Sequence, residues 1–381
     1  MPLVFPHRRN SVLGLGAGIC LLLAFLVFVP SAGAQNVNAR DQAMDLATQA
    51  YALFEENRLQ EALPLARQAV ATVEAEYGPD DSDLGLHYFL LAIIEYGLQD
   101  FPPALEHMNR SLAVCETSQD CGDPFLVDVL WYLTNMNFEM GDPQMGWEQG
   151  DRALAIWGGM DDIDPLMLAQ AHEQHGHNLA YAGGFSQAQT HFEQTLAIQV
   201  EVLGDQDPEV ADTLVAIGYC LAEQGQTPDA LAMFKRALPL LVNGLGRNDP
   251  RTAGCLRSLA GAYYDLGDYT QSVAYYEQAV AAYSQDVANN ARSLALSLHY
   301  LGEAHVGCRQ YDQALPLFEQ ALEMENAQPG LLPQGFAQKL LLNMAECHEV
   351  LGNPELAAEL RALAREPDGS SFVLPENWYK R

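Results

Sequence analysis

Residues 249–290 read DPRTAGCLRSLAGAYYDLGDYTQSVAYYEQAVAAYSQDVANN, and this segment contains the pattern that decides the fold. Its apolar residues form two stripes at helical spacing: Leu256, Leu259, Ala260 and Tyr263, then Val273, Tyr276, Ala279, Val280 and Tyr283. Asp249 followed by Pro250 is typical of a capped helix start, and Gly267 between the stripes is typical of a helix end. The segment is therefore predicted to fold as two antiparallel helices.

The same pattern recurs along the chain with a period of 42 residues, which three columns of small residues make visible. The columns are Ala62, Ala104, Gly146, Ala188, Ala230, Ser272 and Ala314; Ala69, Ser111, Ala153, Thr195, Ala237, Ala279 and Ala321; and Ala50, Ala92, Thr134, Gly176, Gly218, Ala260 and Gly302. The third column continues one residue late at Ala345, so an eighth repeat follows a one-residue insertion. Because one helix pair cannot bury its apolar face alone, the repeats are predicted to stack into a solenoid.

Two segments, LAGAYYDLGDYTQSVAYYEQAVAAY (259–283) and LGEAHVGCRQYDQALPLFEQAL (301–322), resemble tetratricopeptide repeats. The 42-residue period, with LGDQDPEVADTL and LGRNDPRTAGCL between repeats, is similar to the kinesin light chain type of that family. The resemblance implies an all-α fold, a right-handed α-α superhelix of about eight helix pairs within residues 35–365. Residues 366–381 are too polar and rich in turn formers to continue the repeat, and we expect a cap or tail there.

The chain begins MPLVFPHRRNSVLGLGAGICLLLAFLVFVPSAGAQ, a basic stretch followed by an apolar run and small residues. This order predicts a signal peptide over residues 1–34, cleaved between Ala34 and Gln35, and a periplasmic or secreted protein. An uncleaved N-terminal membrane anchor is the alternative. The formal net charge of −31 disfavours nucleic acids and anionic lipid surfaces as partners. Only three of the basic residues are lysines, which is typical of a bacterium with a GC-rich genome.

Six cysteines follow the predicted cleavage site. Cys115 and Cys121 flank a short polar stretch, and an oxidising compartment would allow a disulfide between them, with two free thiols as the alternative. The other four, which lie in apolar helical patterns and are predicted to be buried, unreactive thiols, are Cys220, Cys255, Cys308 and Cys347.

The stretch HEQHGH, residues 172–177, is the segment that most resembles catalytic chemistry. His172 and His175 lie in columns that hold leucines in most repeats, so both are predicted to be core histidines. Their spacing of three differs from the H-E-x-x-H pattern of zinc hydrolases, which excludes that reading. A structural metal held by His172, His175 and His191, and a pH-sensing role for the two buried histidines, are the alternatives. Since no nucleophile, phosphate-binding or zinc-finger motif is present either, the chain is predicted to be non-enzymatic, without cofactor or metal.

The resemblance implies a peptide-binding groove lined by the first helix of each pair. Its predicted residues are Trp131, Tyr132, Asn135, His177, Tyr181, Tyr219, Arg257, Tyr264, His299, Tyr300 and Glu303. Aromatic and amide side chains suit the recognition of an extended peptide. One register is acidic, namely Glu55, Glu139, Glu223 and Asp265, and favours a basic or neutral segment, although a merely solvated acidic face explains it as well.

The third repeat departs from the pattern, because Gly146 and Gly150 stand where alanine and a large aromatic residue are expected. Trp131, Trp147 or Trp157 would fill the missing volume, or the repeat would act as a flexible joint. The predicted function is an exported adaptor that binds a protein segment in its groove. The alternatives are a structural envelope protein that associates with itself and a metal-binding protein centred on His172 and His175.

Overall fold

The structure is a computed structural model that describes residues 39–118, 121–160 and 163–365. The predicted signal peptide (1–34) and the predicted C-terminal cap or tail (366–381) lie outside the described residues. Across the described ranges the chain is all-α, with no strand. Clustering of contacts divides it into two compact units, which meet in sequence between Gly184 and Phe185.

Unit 1 contains three helix pairs and one further helix: α1 (Ala39–Glu55) with α2 (Leu59–Tyr77), α3 (Leu84–Gly97) with α4 (Phe101–Thr117), α5 (Asp123–Met140) with α6 (Pro143–Gly158), and then α7 (Pro165–Tyr181). Unit 2 begins with α8 (Phe185–Leu203) and continues with four pairs: α9 (Pro208–Glu223) with α10 (Thr227–Leu245), α11 (Pro250–Asp265) with α12 (Tyr269–Tyr283), α13 (Val287–Gly307) with α14 (Tyr311–Ala327), and α15 (Phe336–Val350) with α16 (Pro354–Leu363). The predicted all-α fold of repeated helix pairs is confirmed.

The helix boundaries follow from the Asp-Pro and Gly signals. Helix α11 begins at Pro250, and the Asp249 carboxylate accepts a hydrogen bond from the Arg251 backbone N–H at 2.8 Å. Asp207 caps α9 in the same way through the Glu209 N–H, also at 2.8 Å. Gly267, which follows α11, has φ +77°, a conformation that side chains other than glycine rarely adopt. The predicted start and end of this helix are thus confirmed.

The small columns are the places where a large side chain of the second helix packs against the first. A Cβ built on Gly218 would lie 2.5 Å from Phe234 Cε1, and one built on Gly302 would lie 2.5 Å from Phe318 Cε1. Phe234 and Phe318 are 2% and 0% exposed. Burial of one such ring stabilises the fold by roughly 1.5–3 kcal/mol, which requires the small residue opposite.

The glycines of the third repeat are matched by rings other than those predicted. Gly146 packs against Phe138, whose Cδ2 would lie 3.0 Å from an added Cβ. Gly150 packs against His175, whose Cε1 would lie only 2.1 Å from an added Cβ. Of the predicted tryptophans, Trp131 contributes indirectly, because its ring packs edge-on against His175 at 5.9 Å between centroids. The missing volume at Gly150 is therefore filled by the histidine.

Candidate functional site

Contacts between the first helices of successive pairs bring the predicted groove residues together within unit 2. There α9 contacts α11, α11 contacts α13, and α13 contacts α15. Residues one repeat apart in sequence thus become neighbours. We call the side of these four helices that carries Tyr219, Arg257, Tyr264, Tyr300 and Asn343 the groove face.

Glu303 on α13 is the centre of a polar cluster on this face. Its Oε1 lies 2.9 Å from Lys339 Nζ and accepts a hydrogen bond from Asn343 Nδ2 at 3.3 Å, both from α15. The same oxygen lies 3.2 Å from His299 Nε2, one turn earlier on α13. Burial by itself raises the pKa of this carboxyl, but His299 and the Lys339 ammonium outweigh burial and lower it to about 2. Glu303 is therefore ionised at neutral pH and its charge is already compensated.

His299 is fully buried beneath aromatic rings. Its ring lies 4.5 Å from Phe336, 5.0 Å from Tyr300 and 5.7 Å from Phe318, measured between centroids. Neither ring nitrogen has a hydrogen bond of good geometry within the described chain. Burial lowers the pKa of His299, while Glu303 opposes that shift. The imidazole is neutral at neutral pH, and His299 acts as a core ring beneath the groove face instead of a surface contact.

Arg257 on α11 is 8% exposed, which is unusual for an arginine. Its Nε is buried without a hydrogen-bond partner in the described chain. The hydroxyl of Tyr276, on α12, is 0% exposed and also has no partner there. Burial raises the pKa of Tyr276 well above its ordinary value, and the nearby Arg257 charge opposes this only in part. The neutral hydroxyl therefore remains available as a donor.

Three tyrosines of the groove face lie partly exposed on successive first helices. Tyr219 packs against Phe185 at 5.8 Å between centroids, and Tyr264 packs edge-on against Tyr269 at 5.2 Å. Tyr300 is stacked on Tyr276 at 6.1 Å. Each ring is thus supported on one side and reaches solvent on the other, an arrangement suited to contact with a partner.

The predicted groove residues of unit 1 are less alike. Trp131, Tyr132 and Asn135 are partly buried on α5, and Asn135 Nδ2 donates to the Trp131 carbonyl of its own helix at 3.1 Å. His177 is partly buried on α7, with Nε2 3.7 Å from a Glu173 carboxylate oxygen. Tyr181, at the end of α7, is 81% exposed.

The two histidines in leucine columns differ in burial. His175 is 0% exposed, and its Nε2 lies 3.1 Å from Asp151 Oδ1 of α6. His172 is only partly buried, so the prediction that it replaces a core leucine is wrong in degree. The reason is its place on α7, where the side chain lies at the margin of the packed face while His175 points at Gly150.

The cysteines separate into bonded and free. Cys115 and Cys121 form a disulfide with 5.1 Å between Cα atoms, and its sulfurs pack against Gly85 of α3. Cys220, Cys255 and Cys347 are free and buried, and burial raises the pKa of each thiol to about 12. The expectation of burial is wrong for Cys308, which is partly exposed where α13 ends.

The acidic register is engaged differently in the two units. In unit 1, Glu55 accepts a hydrogen bond from Tyr51 Oη at 2.8 Å, and Glu139 accepts one from Tyr96 Oη at 3.1 Å. In unit 2, burial and the neighbouring Glu223 charge both raise the pKa of Asp265. The groove face of unit 2 therefore carries two acids close enough to repel each other.

A family model described as tetratricopeptide repeat matches residues 41–117, 167–241 and 251–327, which is more than half of the chain. The chain belongs to the tetratricopeptide repeat family. A second tetratricopeptide model matches residues 301–371. The prediction made from the 42-residue columns is thereby confirmed. No curated protein matches the chain in sequence.

Three solved structures illustrate the likeness in fold. BtubC (BKLC) from P. vanneervenii is 18% identical, with 60% of this chain and 92% of that chain covered and a TM-score of 0.50. A signal transduction ATPase with a tetratricopeptide repeat sensor from Pyrococcus horikoshii is 15% identical, with 81% and 44% covered and a TM-score of 0.56. Repeats of a putative kinesin light chain from Podosopora anserina are 20% identical, with 54% and 96% covered and a TM-score of 0.47. At these identities the likeness shows the fold alone.

Within the described ranges, no helix has both the length and the apolar composition needed to cross a bilayer. Sequence reasoning placed Arg257, His299 and Glu303 in one groove but gave no weight to Tyr276, Phe336 or Lys339. Lys339 and Asn343 reach Glu303 because α15 follows the one-residue insertion, which shifts its columns by one position. That insertion is the signal that identifies the α15 partners.

Proposed function

We propose that this tetratricopeptide repeat protein is an exported, non-enzymatic adaptor, whose groove face in unit 2 holds an extended segment of another protein. Repeats of this family generally bind protein partners, which supports the adaptor role. The observation that carries the proposal is the row of partly exposed tyrosines on α9, α11 and α13: Tyr219, Tyr264 and Tyr300. Supported aromatic rings offer contact area at low entropic cost, and such residues are enriched at protein interfaces.

The charge of the groove face favours a segment that is neutral or basic overall. Glu223 and Asp265 lie close together on it, and burial and Glu223 both raise the pKa of Asp265, so a cationic group of the segment would relieve their repulsion. Lys339 is already paired with Glu303 and adds little uncompensated positive charge. A strongly acidic segment would in addition meet the net charge of −31 of the whole chain.

Export is supported by the signal-like first 34 residues and by the Cys115–Cys121 disulfide, since disulfides persist in oxidising compartments. Mass spectrometry of the protein recovered from its native host tests this part. We expect a periplasmic or secreted chain that begins at Gln35 and carries the disulfide. A cytoplasmic chain with an intact N-terminus would contradict export and leave the adaptor role open.

A photo-crosslinking amino acid placed at single positions tests the groove in the native host. At Tyr264 we expect a crosslink to one discrete protein. At Tyr275, a partly buried tyrosine on α12 that stacks on Tyr263 away from the groove face, we expect none. The Tyr219→Ala, Tyr300→Ala double variant should lose the crosslink from Tyr264. Equal crosslinking from both positions, or a crosslink that survives the double variant, would refute binding on this face.

A further inference from the structure

The charge of Arg257 is the feature of the groove face that remains uncompensated. It lies nine-tenths buried, and no ion pair within the described chain includes its guanidinium. Arg251, six residues earlier on α11, shows the ordinary arrangement: it is exposed and lies 2.8 Å from Asp212 and 3.7 Å from Asp249. A protein with 50 acidic and 19 basic residues has ample carboxylates with which to neutralise an arginine. That the buried one is left without an acid therefore requires an explanation.

The nearby carboxylate is committed elsewhere. Glu303 is close enough to influence the pKa of Tyr276, the residue beside Arg257, but its Oε1 is held by Lys339 and Asn343 of α15. Lys339 thus neutralises the acid that would otherwise pair with Arg257. The arrangement keeps one guanidinium unpaired within a wall of aromatic side chains.

A second unsatisfied donor lies beside this guanidinium. The Tyr276 hydroxyl is fully buried, has no hydrogen-bond partner in the described chain, and is near enough to Arg257 for the charge to oppose the rise of its pKa. Tyr300, stacked on Tyr276 at 6.1 Å, borders the same place from α13. Two buried donors that share neighbours and lack acceptors suit one small oxyanion, which accepts from both.

We propose that Arg257 and Tyr276 receive a single carboxylate of the bound segment, as the anchor of an otherwise neutral or basic sequence. This inference rests on the proposed function, because the carboxylate belongs to the segment held on the groove face. A carboxylate fits better than a phosphate, because a phosphate carries up to two negative charges and the site supplies one guanidinium. Glu303 and Asp265, both close enough to influence Tyr276, repel a dianion more strongly than a monoanion.

The test is selection of a randomised peptide library, displayed on phage, on the full mature protein and on two matched variants. Arg257→Met removes the buried guanidinium, and Arg251→Met removes the exposed, paired one from the same helix. We expect the wild type and Arg251→Met to enrich peptides with aspartate or glutamate at one fixed position. Arg257→Met should lose that preference and bind a selected peptide about ten- to a hundredfold more weakly.

Synthetic versions of one selected peptide distinguish the two sources of a carboxylate. Amidation of the C-terminus and replacement of the internal acid by its amide are made separately, and the change that abolishes the effect of Arg257→Met identifies the source. Peptides enriched without an acidic position, or an acidic preference that survives in Arg257→Met, would overturn the inference and leave the adaptor role intact. Failure of the wild type to enrich any peptide would overturn both.

A measurement without ligand guards against a merely structural role. Because Arg257→Met removes a buried charge that has no partner, the unbound variant should melt at the same temperature as wild type or higher. A clearly lower melting temperature would mean that the chain itself satisfies Arg257, and the inference would fail.

Discussion

Gly150 offers the sharpest test of the packing in unit 1. A Cβ added there would lie 2.1 Å from Cε1, 2.5 Å from Nδ1 and 2.8 Å from Nε2 of His175. The imidazole has little freedom to move away, because it is fully buried, packs against Trp131 and lies 3.1 Å from Asp151 Oδ1. We therefore expect Gly150→Ala to destabilise unit 1, although alanine is the better helix former.

The magnitude follows from two opposing effects. Alanine in place of glycine inside a helix stabilises by about 1 kcal/mol. Overpacking of a filled core costs about 1–3 kcal/mol, and displacement of the ring from Asp151 adds about 1 kcal/mol for the lost hydrogen bond. With the clash near the upper end of that range, Gly150→Ala should lower the free energy of unfolding by about 2–3 kcal/mol.

Urea denaturation followed by tryptophan fluorescence measures this effect where it occurs, because Trp131, Trp147 and Trp157 all lie on α5 and α6. Gly158→Ala is the matched control on α6, since its added Cβ would meet only Leu168 Cδ2 at 3.8 Å. That variant should be as stable as wild type or slightly more stable.

The His175→Ala background completes the cycle. With the ring removed, Gly150→Ala should cost at least 1 kcal/mol less than in the wild type, because neighbouring residues that clash show strong coupling. If Gly150→Ala proved as stable as Gly158→Ala, or if its cost were the same with and without the His175 ring, the explanation of this glycine would be refuted.

Further predictions concern buried charge, pH and oxidation. Glu95, fully buried, lies 2.7 Å from His107 Nδ1; His107→Leu should lower the free energy of unfolding by about 1–3 kcal/mol and an added Glu95→Leu should restore it, as read from urea denaturation. Burial lowers the pKa of His299 below its ordinary 6.5, so below that pH the unfolded chain takes up a proton that the folded chain resists. Melting temperatures should therefore fall from about pH 7 to about pH 5, and less so in His299→Phe; an identical fall in both would contradict this assignment. Reduction of the Cys115–Cys121 disulfide should destabilise unit 1 by roughly 2 kcal/mol, detected as a lower melting temperature in dithiothreitol that is absent in a double serine variant.

Positions that repeat every 42 residues were predictable because each repeat must satisfy the same packing requirement. Gly218 and Gly302 were recognisable as small positions without knowledge of which ring they face. The structure adds that Phe234 and Phe318 are those rings. Deviations from the repeat were less predictable, since Gly150 and His175 compensate for each other across two helices and neither residue alone indicates the other.

Burial of single residues also depended on packing that periodicity does not describe. His172 and Cys308 occupy positions with an apolar pattern, yet both are partly exposed. His299 was expected on the surface of the groove and is instead fully covered by Phe336 and its neighbours. A helical period identifies the face of a helix, but the exposure at the edge of that face depends on the side chains that the next helix contributes.

The sequence by itself determined the all-α fold, the paired helices, their ends and the family, because those properties depend on local propensities and on a spacing repeated many times. Only the tertiary structure decided that Lys339 takes Glu303 and leaves Arg257 and Tyr276 without partners. Those groups come from four helices separated by tens of residues, and which donor meets which acceptor depends on the packing of one repeat against the next. That choice of partners is what makes a common repeat scaffold specific in its binding.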